Sequence, residues 1–354
     1  MAFTEGKVLQ EDPVLVTGAA GFIGTRVVSG LLDLGFRRVR CLVRSTGNLA
    51  RLEETIRSHN GTGRAEILMG NLLSPADCSN VTQDIAVIYH LAAGTGTKAF
   101  SDAYLNSVVA TRNLLEASLK HNCLRRFVNV SSFSVYTNRN KPHRRLLDEA
   151  CPAEAHPESR AEAYCYGKVK QDELVAEYAK KRGLPSVTVR PGTVFGPGKR
   201  AIPGRVGIDT FGIFLHMGGS NSLPLTYVDN CAEAIVLAGL TPGIEGETFN
   251  IVDDDLPSSR RFLRLYKRNV RRFHSLCVPH ALSYVFCFLW EKYSYWSKGQ
   301  LPPAFTRREW AAYWKRTRFT NRKIKNATAW SPRVSMEEAL RHFFEGCREE
   351  MRDA

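Results

Sequence analysis

Short apolar runs alternate with amphipathic stretches along the first half of the chain. Val14–Thr17, Val39–Val43, Ala65–Met69, Ala86–Leu91 and Arg126–Ser131 are apolar runs of strand length. Between and after them, residues 22–34, 49–58, 101–121 and 166–181 repeat apolar positions at the period of a helix. Ser186–Arg190 and Thr248–Val252 read as further strands, and Asn230–Gly239 as a helix. Strand–helix alternation with short links predicts parallel βαβ units and an open, doubly wound α/β sheet. Residues 191–224, rich in Gly and Pro, read as irregular loop. The sheet domain is expected to hold residues 1–190, with 225–252 returning to it. Residues 191–224 and 253–354 then form a smaller substrate-binding cap.

Charge changes this picture at one place. The 354 residues carry a formal net charge of +14, but residues 257–326 hold 17 Lys/Arg against only Glu291 and Glu309. The remainder, with 32 basic and 33 acidic residues, is close to neutral. The excess therefore belongs to one segment. Nucleic-acid binding is not expected, since no recognition motif accompanies the charge. The nine cysteines show no C-x-x-C pair and no metal-ligand spacing, so they read as reduced thiols in a cytosolic protein with no metal. The polar, acidic start of the chain does not read as a signal peptide. The longest apolar stretch, 278–290, is too short to span a bilayer and contains Pro279, His280 and Ser283.

The first strand runs directly into VLVTGAAGFIG, which places Gly18, Gly21 and Gly24 at a strand-to-helix turn. Glycines there allow a tight turn, backbone approach to a pyrophosphate and close packing of helix on strand. Free N–H groups at the helix start then face the phosphates. This is the dinucleotide-binding pattern of a Rossmann-type sheet, with Ala20, Phe22 and Ile23 completing the loop. After the second strand stands Arg44, where an NAD-specific site usually has an acid for the ribose hydroxyls. A guanidinium suits a 2′-phosphate, so the reading is NAD(P) with NADP favoured. Asn71 and Leu72, after the third strand, are placed to meet the adenine.

The fifth strand ends in Ser131, Ser132 and Ser134, and YCYGKVK follows downstream at the head of a helical stretch. Tyr166 and Lys170 are i and i+4 and share a helix face. A lysine ammonium beside a phenol favours the phenolate, which can exchange a proton with a substrate hydroxyl. Tyr164 and Lys168 have the same spacing, and geometry alone does not choose between the pairs. Ser132 is placed to orient the substrate oxygen, and Asn106 to hold a water in a proton relay.

The ordered motifs TGAAGFIG, HLAAGT, NSVVATRNLLEA, VSSFSVY, YGKVK, RPGTVFGPG and YVDNCAEAI resemble the extended short-chain dehydrogenase/reductases of the NAD-dependent epimerase/dehydratase family. The resemblance covers about Val14 to Val252. It implies Tyr166 and Lys170 over Tyr164 and Lys168, because the family's tyrosine precedes a small residue, and Ser132 over Ser131 or Ser134. It also implies that Leu91, Ala92, Ala93, Gly94, Thr95, Pro191, Gly192 and Val194 border the cofactor. The chain departs from the dehydratase branch, whose Thr-Asp-Glu set is replaced by Ser132, Phe133 and Ser134. It also lacks the arginine that nucleotide-sugar epimerases carry before the V-D strand, since none lies between Arg205 and Asp229.

Residues 260–272 hold seven Arg/Lys, followed by the apolar 278–290 and then aromatic EKYSYW. Three readings apply: core of the cap, solvated arginines or an acidic-substrate site, or peripheral contact with an anionic membrane through 260–296. The run 301–332 resembles the tail of 3β-hydroxysteroid-dehydrogenase-like proteins. The expectation is a dehydrogenase/reductase moving a hydride at a secondary alcohol or ketone of a lipophilic, steroid- or isoprenoid-like substrate. A nucleotide-sugar epimerase would use the same residues, and an NAD(P)-sensing binding protein would share the fold without turnover. By family analogy the protein is a homodimer.

Overall fold

The computed structural model describes all residues except 1–7, 45–48, 60–64, 96–98, 140–144, 161, 211, 298–299, 301–304 and 353–354. The first four residues of the run 301–332 thus lie outside the described residues, as does the start of the N-terminal segment.

Five strands appear where the apolar runs predict them: β1 (Val14–Thr17), β2 (Val39–Val43), β3 (Ala65–Met69), β4 (Val87–His90) and β5 (Arg126–Val130). Ser186–Pro191 and Thr248–Ile251 complete a seven-stranded sheet, all of whose pairings are parallel. Val14 pairs with Val39 on one side and Val87 on the other, so β1 lies between β2 and β4. The strand order reverses there, which opens a crevice beyond the strand ends. Helices cover both faces, and β1, β4 and β5 are buried along their whole length, as a parallel sheet requires. One core joins Val16, Val28, Leu31 and Tyr89 to Ile235 on the helix Val228–Leu240. The opposite face packs Leu15, Ile88 and Phe127 with Val108, Leu114 and Leu174.

Three local expectations change. Residues 191–224 are not irregular throughout. Thr193–Phe195 pairs in parallel with Leu225–Tyr227, and Gly207–Thr210 pairs with Ile213–His216. Each of these strands has only three or four residues, too few to show a period among the glycines and prolines. The helical stretch 101–121 contains a π-turn, Tyr104–Val109, between Phe100–Ala103 and Ala110–Ser118. The helix expected over 166–181 spans Ala163–Arg182, starting three residues earlier and ending at Gly183 with φ +67°.

The later segments form their own cores. Phe195, Val206 and Tyr227 pack with Phe262 and Tyr266 of the helix Ser259–Asn269 and Phe343 of the terminal helix Met336–Arg352. A small cluster of Met217, Cys287, Trp310 and Trp314 sits under the helix His280–Trp296. That helix buries only Ser283, Cys287 and Ser294 outright, so the reading of 278–290 as cap core does not hold. Its large apolar side chains face outward because its inner face is small. No helix among the described residues is long and apolar enough to cross a membrane.

Candidate active site

The crevice holds a cavity of about 830 Å³ at the ends of β1, β4 and β5. The glycine turn forms its floor. Gly18 takes φ +68°, and a Cβ on it would lie 3.0 Å from the nitrogen of Ala92. Gly24 begins the helix Gly24–Asp33, where a Cβ would lie 2.1 Å from the carbonyl oxygen of Gly18. The turn is thus packed tightly on its own backbone and on Ala92, with no room for a side chain at Gly18 or Gly24. Ala20, Gly21, Phe22 and Ile23 line the cavity with them, as do Arg44, Asn71 and Leu72. Leu91, Ala92, Ala93, Thr95, Pro191, Gly192 and Val194 form further wall.

Gly94 is not on that wall. Its N–H donates to Ser107 Oγ at 3.1 Å, and a Cβ would meet Ala103 at 3.3 Å, so its smallness serves helix packing.

Ser132, Asn106, Tyr164 and Lys168 all line the cavity. Ser132 ends the extended backbone after β5, where its Oγ accepts from Ser134 N at 3.1 Å, and it shares the cavity wall with the Tyr164 phenol. Lys168 is buried one turn further along the helix, its Nζ donating to Val130 O at 2.7 Å and Gln171 Oε1 at 3.0 Å. Burial pushes the Tyr164 phenol up to about 12, with the neighbouring Ser132 hydroxyl opposing, and lowers the Lys168 ammonium to about 8. Asn106 lies in the π-turn, where the widened coil brings it to the cavity; its Nδ2 donates to Asp102 O at 2.9 Å.

The pair expected from the resemblance, Tyr166 and Lys170, lies elsewhere. The Tyr166 ring packs edge-on against Phe100 at 5.3 Å, and Lys170 pairs with Glu173 at 2.8 Å on the outside of the helix. Two residues turn a helix by about 200°, so the two pairs occupy nearly opposite faces. The small residue after Tyr166 has another purpose. A Cβ on Gly167 would meet Ser107 Oγ at 3.0 Å and Ala103 O at 3.2 Å, so Gly167 lets this helix press on the π-turn.

Sequence reasoning overlooked two cations. Lys199 lines the cavity from an exposed position, with Nζ 4.8 Å above the Phe22 ring and donating to Val194 O. Arg205 sits between the rings of Tyr313 and Phe319, 5.2 and 5.9 Å from their centroids. It donates to Ala312 O at 2.7 Å and takes no carboxylate partner among the described residues. Phe319 packs on Phe133, the neighbour of Ser132, and Tyr313 donates to Glu162, two residues before Tyr164. Aromatic residues of the basic segment thus pack against residues close in sequence to Ser132 and Tyr164. The only available signal was a lone arginine in a Gly/Pro-rich loop.

A glycine-floored crevice at the switch point, with Ser, Tyr and Lys on one wall, defines a Rossmann-type protein of the short-chain dehydrogenase/reductase class. Residues 14–251 match the NAD dependent epimerase/dehydratase family, and the chain belongs to it. It is 30% identical over 257 residues, 67% of the chain and 36% of the relative, to the trifunctional UDP-glucose 4,6-dehydratase/UDP-4-keto-6-deoxy-D-glucose 3,5-epimerase/UDP-4-keto-L-rhamnose-reductase of Arabidopsis thaliana. An uncharacterized UDP-glucose epimerase of Bacillus subtilis is 27% identical, over 67% of the chain and 76% of that protein. Cinnamoyl-CoA reductase 1 of Petunia hybrida is 29% identical over 52% of the chain and 55% of its own length. The chain spans 36% to 40% of the length of several of these curated relatives. The fold is shared with gox2253 (TM-score 0.76, 22% identity, covering 97% and 99% of the two chains). It is also shared with UDP-glucuronic acid 4-epimerase from Bacillus cereus (0.70, 24%, 96% and 99%).

Proposed function

We propose that the protein is an NAD(P)-dependent oxidoreductase that moves a hydride between the cofactor and a carbon bearing a hydroxyl or ketone oxygen. The observation that carries this reading is the convergence of Ser132, Tyr164 and Lys168 on the wall of the glycine-floored cavity. The residues present fit a dinucleotide, since Gly18, Gly21 and Gly24 expose side-chain-free backbone to the cavity at the start of a helix, where a pyrophosphate would be held. Bound there, NAD(P) supplies the hydride acceptor or donor. Ser132 holds the substrate oxygen. Tyr164 Oη takes the hydroxyl proton in oxidation and returns it in reduction. Lys168 places a positive charge one turn away that favours the phenolate, and its bond to Val130 fixes its position. Asn106 is placed to hold a water. This reading puts Tyr164 and Lys168 in the roles that the sequence motif suggested for Tyr166 and Lys170.

Arg44 on the cavity wall supports NADP over NAD. We assign 1–190 with 225–252 to the cofactor domain and 191–224 with 253–354 to the substrate cap, and infer a homodimer by family analogy. The aromatic packing of Phe319 on Phe133, and of Tyr313 and Phe319 around Arg205, near the segment of Ser132, supports a lipophilic alcohol or ketone. A second reading, nucleotide-sugar epimerisation, is supported by the cations Lys199 and Arg205, the latter without an acid partner among the described residues. The test is turnover followed by nicotinamide fluorescence on sterol and polyprenyl alcohols, beside epimer analysis of UDP-sugars. Cofactor binding without turnover on any of them would favour the sensing protein.

A further inference from the structure

The helix His280–Trp296 is built the wrong way round for an ordinary surface helix. It turns small side chains inward. Ser283 and Cys287 face the cluster around Trp310, whose Nε1 donates to Ser283 Oγ at 2.8 Å. Leu282, Val285, Phe286, Leu289, Tyr293 and Trp296 recur at the spacing of one helix face, and all are exposed. Leu282 is 61% exposed, Leu289 58% and Trp296 75%. The stripe runs about 21 Å. Leu276, in the strand Ser275–Cys277 that leads into the helix, is exposed as well. The helix carries only two charged residues. Glu291 pairs with Arg307 at 2.9 Å, and Lys292 is exposed. A contiguous apolar face of this kind marks an interaction site.

The surface beside it is basic. Arg260, Arg261, Arg264, Arg268, Arg271 and Arg272 are exposed, and none has a carboxylate partner among the described residues. The helix Ser259–Asn269 that carries the first four lies along the same strand, because Lys267 Nζ donates to Ser275 Oγ at 2.6 Å. Arg271 and Arg272 lie four and three residues before that strand begins.

We propose that this region docks the protein on an anionic lipid bilayer, with the Leu282–Trp296 stripe lying in the headgroup plane and the arginines on lipid phosphates and carboxylates. The two properties together choose the occupant. A polyanion such as nucleic acid would neutralise the arginines and leave the apolar stripe in water. A second copy meeting this face about a two-fold axis would set one unpaired arginine cluster against another. An anionic bilayer satisfies both. At 17 residues the helix is short of the ~20 needed to span, which suits a helix lying in the interface. Tyr293, Tyr295 and Trp296 at its end are the amphipathic aromatics favoured at that depth.

The test is co-flotation of the full chain with vesicles of phosphatidylcholine alone and of phosphatidylcholine mixed equally with phosphatidylserine. The expected result is binding to the mixed vesicles that weakens with salt. Leu282→Glu with Leu289→Glu should abolish flotation while cofactor binding and thermal unfolding stay as in the wild type, since both side chains are exposed. Arg271→Ala with Arg272→Ala should weaken it roughly 30-fold, from about 1 kcal/mol per basic residue. Failure of the unmodified chain to float at low salt would overturn the proposal. So would concentration-dependent self-association that Leu282→Glu with Leu289→Glu abolishes, if no vesicle is bound.

Discussion

The ammonium of Lys168 donates to the main-chain oxygen of Val130 at 2.7 Å, which ties the helix that bears Tyr164 to the end of the strand that delivers Ser132. Ser132 and the Tyr164/Lys168 pair come from two segments more than thirty residues apart, and this one bond ties the two together. It also holds a buried cation against a carbonyl dipole.

Removing the phenol oxygen of Tyr164 should remove the proton relay. Tyr164→Phe is expected to lower kcat by about 10²–10⁴ while leaving cofactor affinity close to wild type. Tyr166→Phe should leave turnover near wild type, because that ring packs on Phe100. Steady-state rates beside cofactor titration check both. Equal losses would return the role to Tyr166.

Lys168 makes stability depend on pH in a defined direction. Its folded value of about 8 lies below the 10.5 of an ordinary lysine, so the unfolded chain holds more protons between the two. Stability from this group therefore rises with pH across that window. The difference in Tm between wild type and Lys168→Met should move in favour of the wild type from pH 8 to 10.5. A constant difference would show that Lys168 is not held as a desolvated cation.

Arg44 should govern cofactor choice. Arg44→Asp removes a donor to a 2′-phosphate and adds a carboxylate for ribose hydroxyls. Loss of about 1.5–3 kcal/mol predicts that the NADP:NAD affinity ratio falls roughly 10- to 100-fold. Titration with both dinucleotides measures it, and an unchanged ratio would remove Arg44 from cofactor discrimination.

Two glycines of one helix should respond oppositely. Gly24→Ala puts a methyl 2.1 Å from the Gly18 oxygen, so it should cost about 1–3 kcal/mol and abolish dinucleotide binding. Gly30→Ala meets only Val236 at 3.6 Å and should stabilise by about 0.5–1 kcal/mol. Urea unfolding of both variants gives the sign directly.

The amino-acid sequence by itself determined the sheet, the glycine turn and most of the residues that line the cavity. Strand burial is written as unbroken apolar runs, and the turn is written in glycines whose spacing is local. The sequence could not decide which of two tyrosines faces the cavity. Both Y-x-x-x-K pairs satisfy i, i+4, and the choice depends on how the helix is rotated against its neighbours. That rotation is set by Gly167 pressing on Ser107 and by Lys168 reaching Val130, contacts across 60 and 38 residues of chain. The placement of Arg205 between Tyr313 and Phe319 is likewise tertiary. So is the outward turn of the Leu282–Trp296 stripe. Apolar periodicity says that a helix has an apolar face, and only the packing of Ser283 and Cys287 under Trp310 says that this face is the one left in solvent.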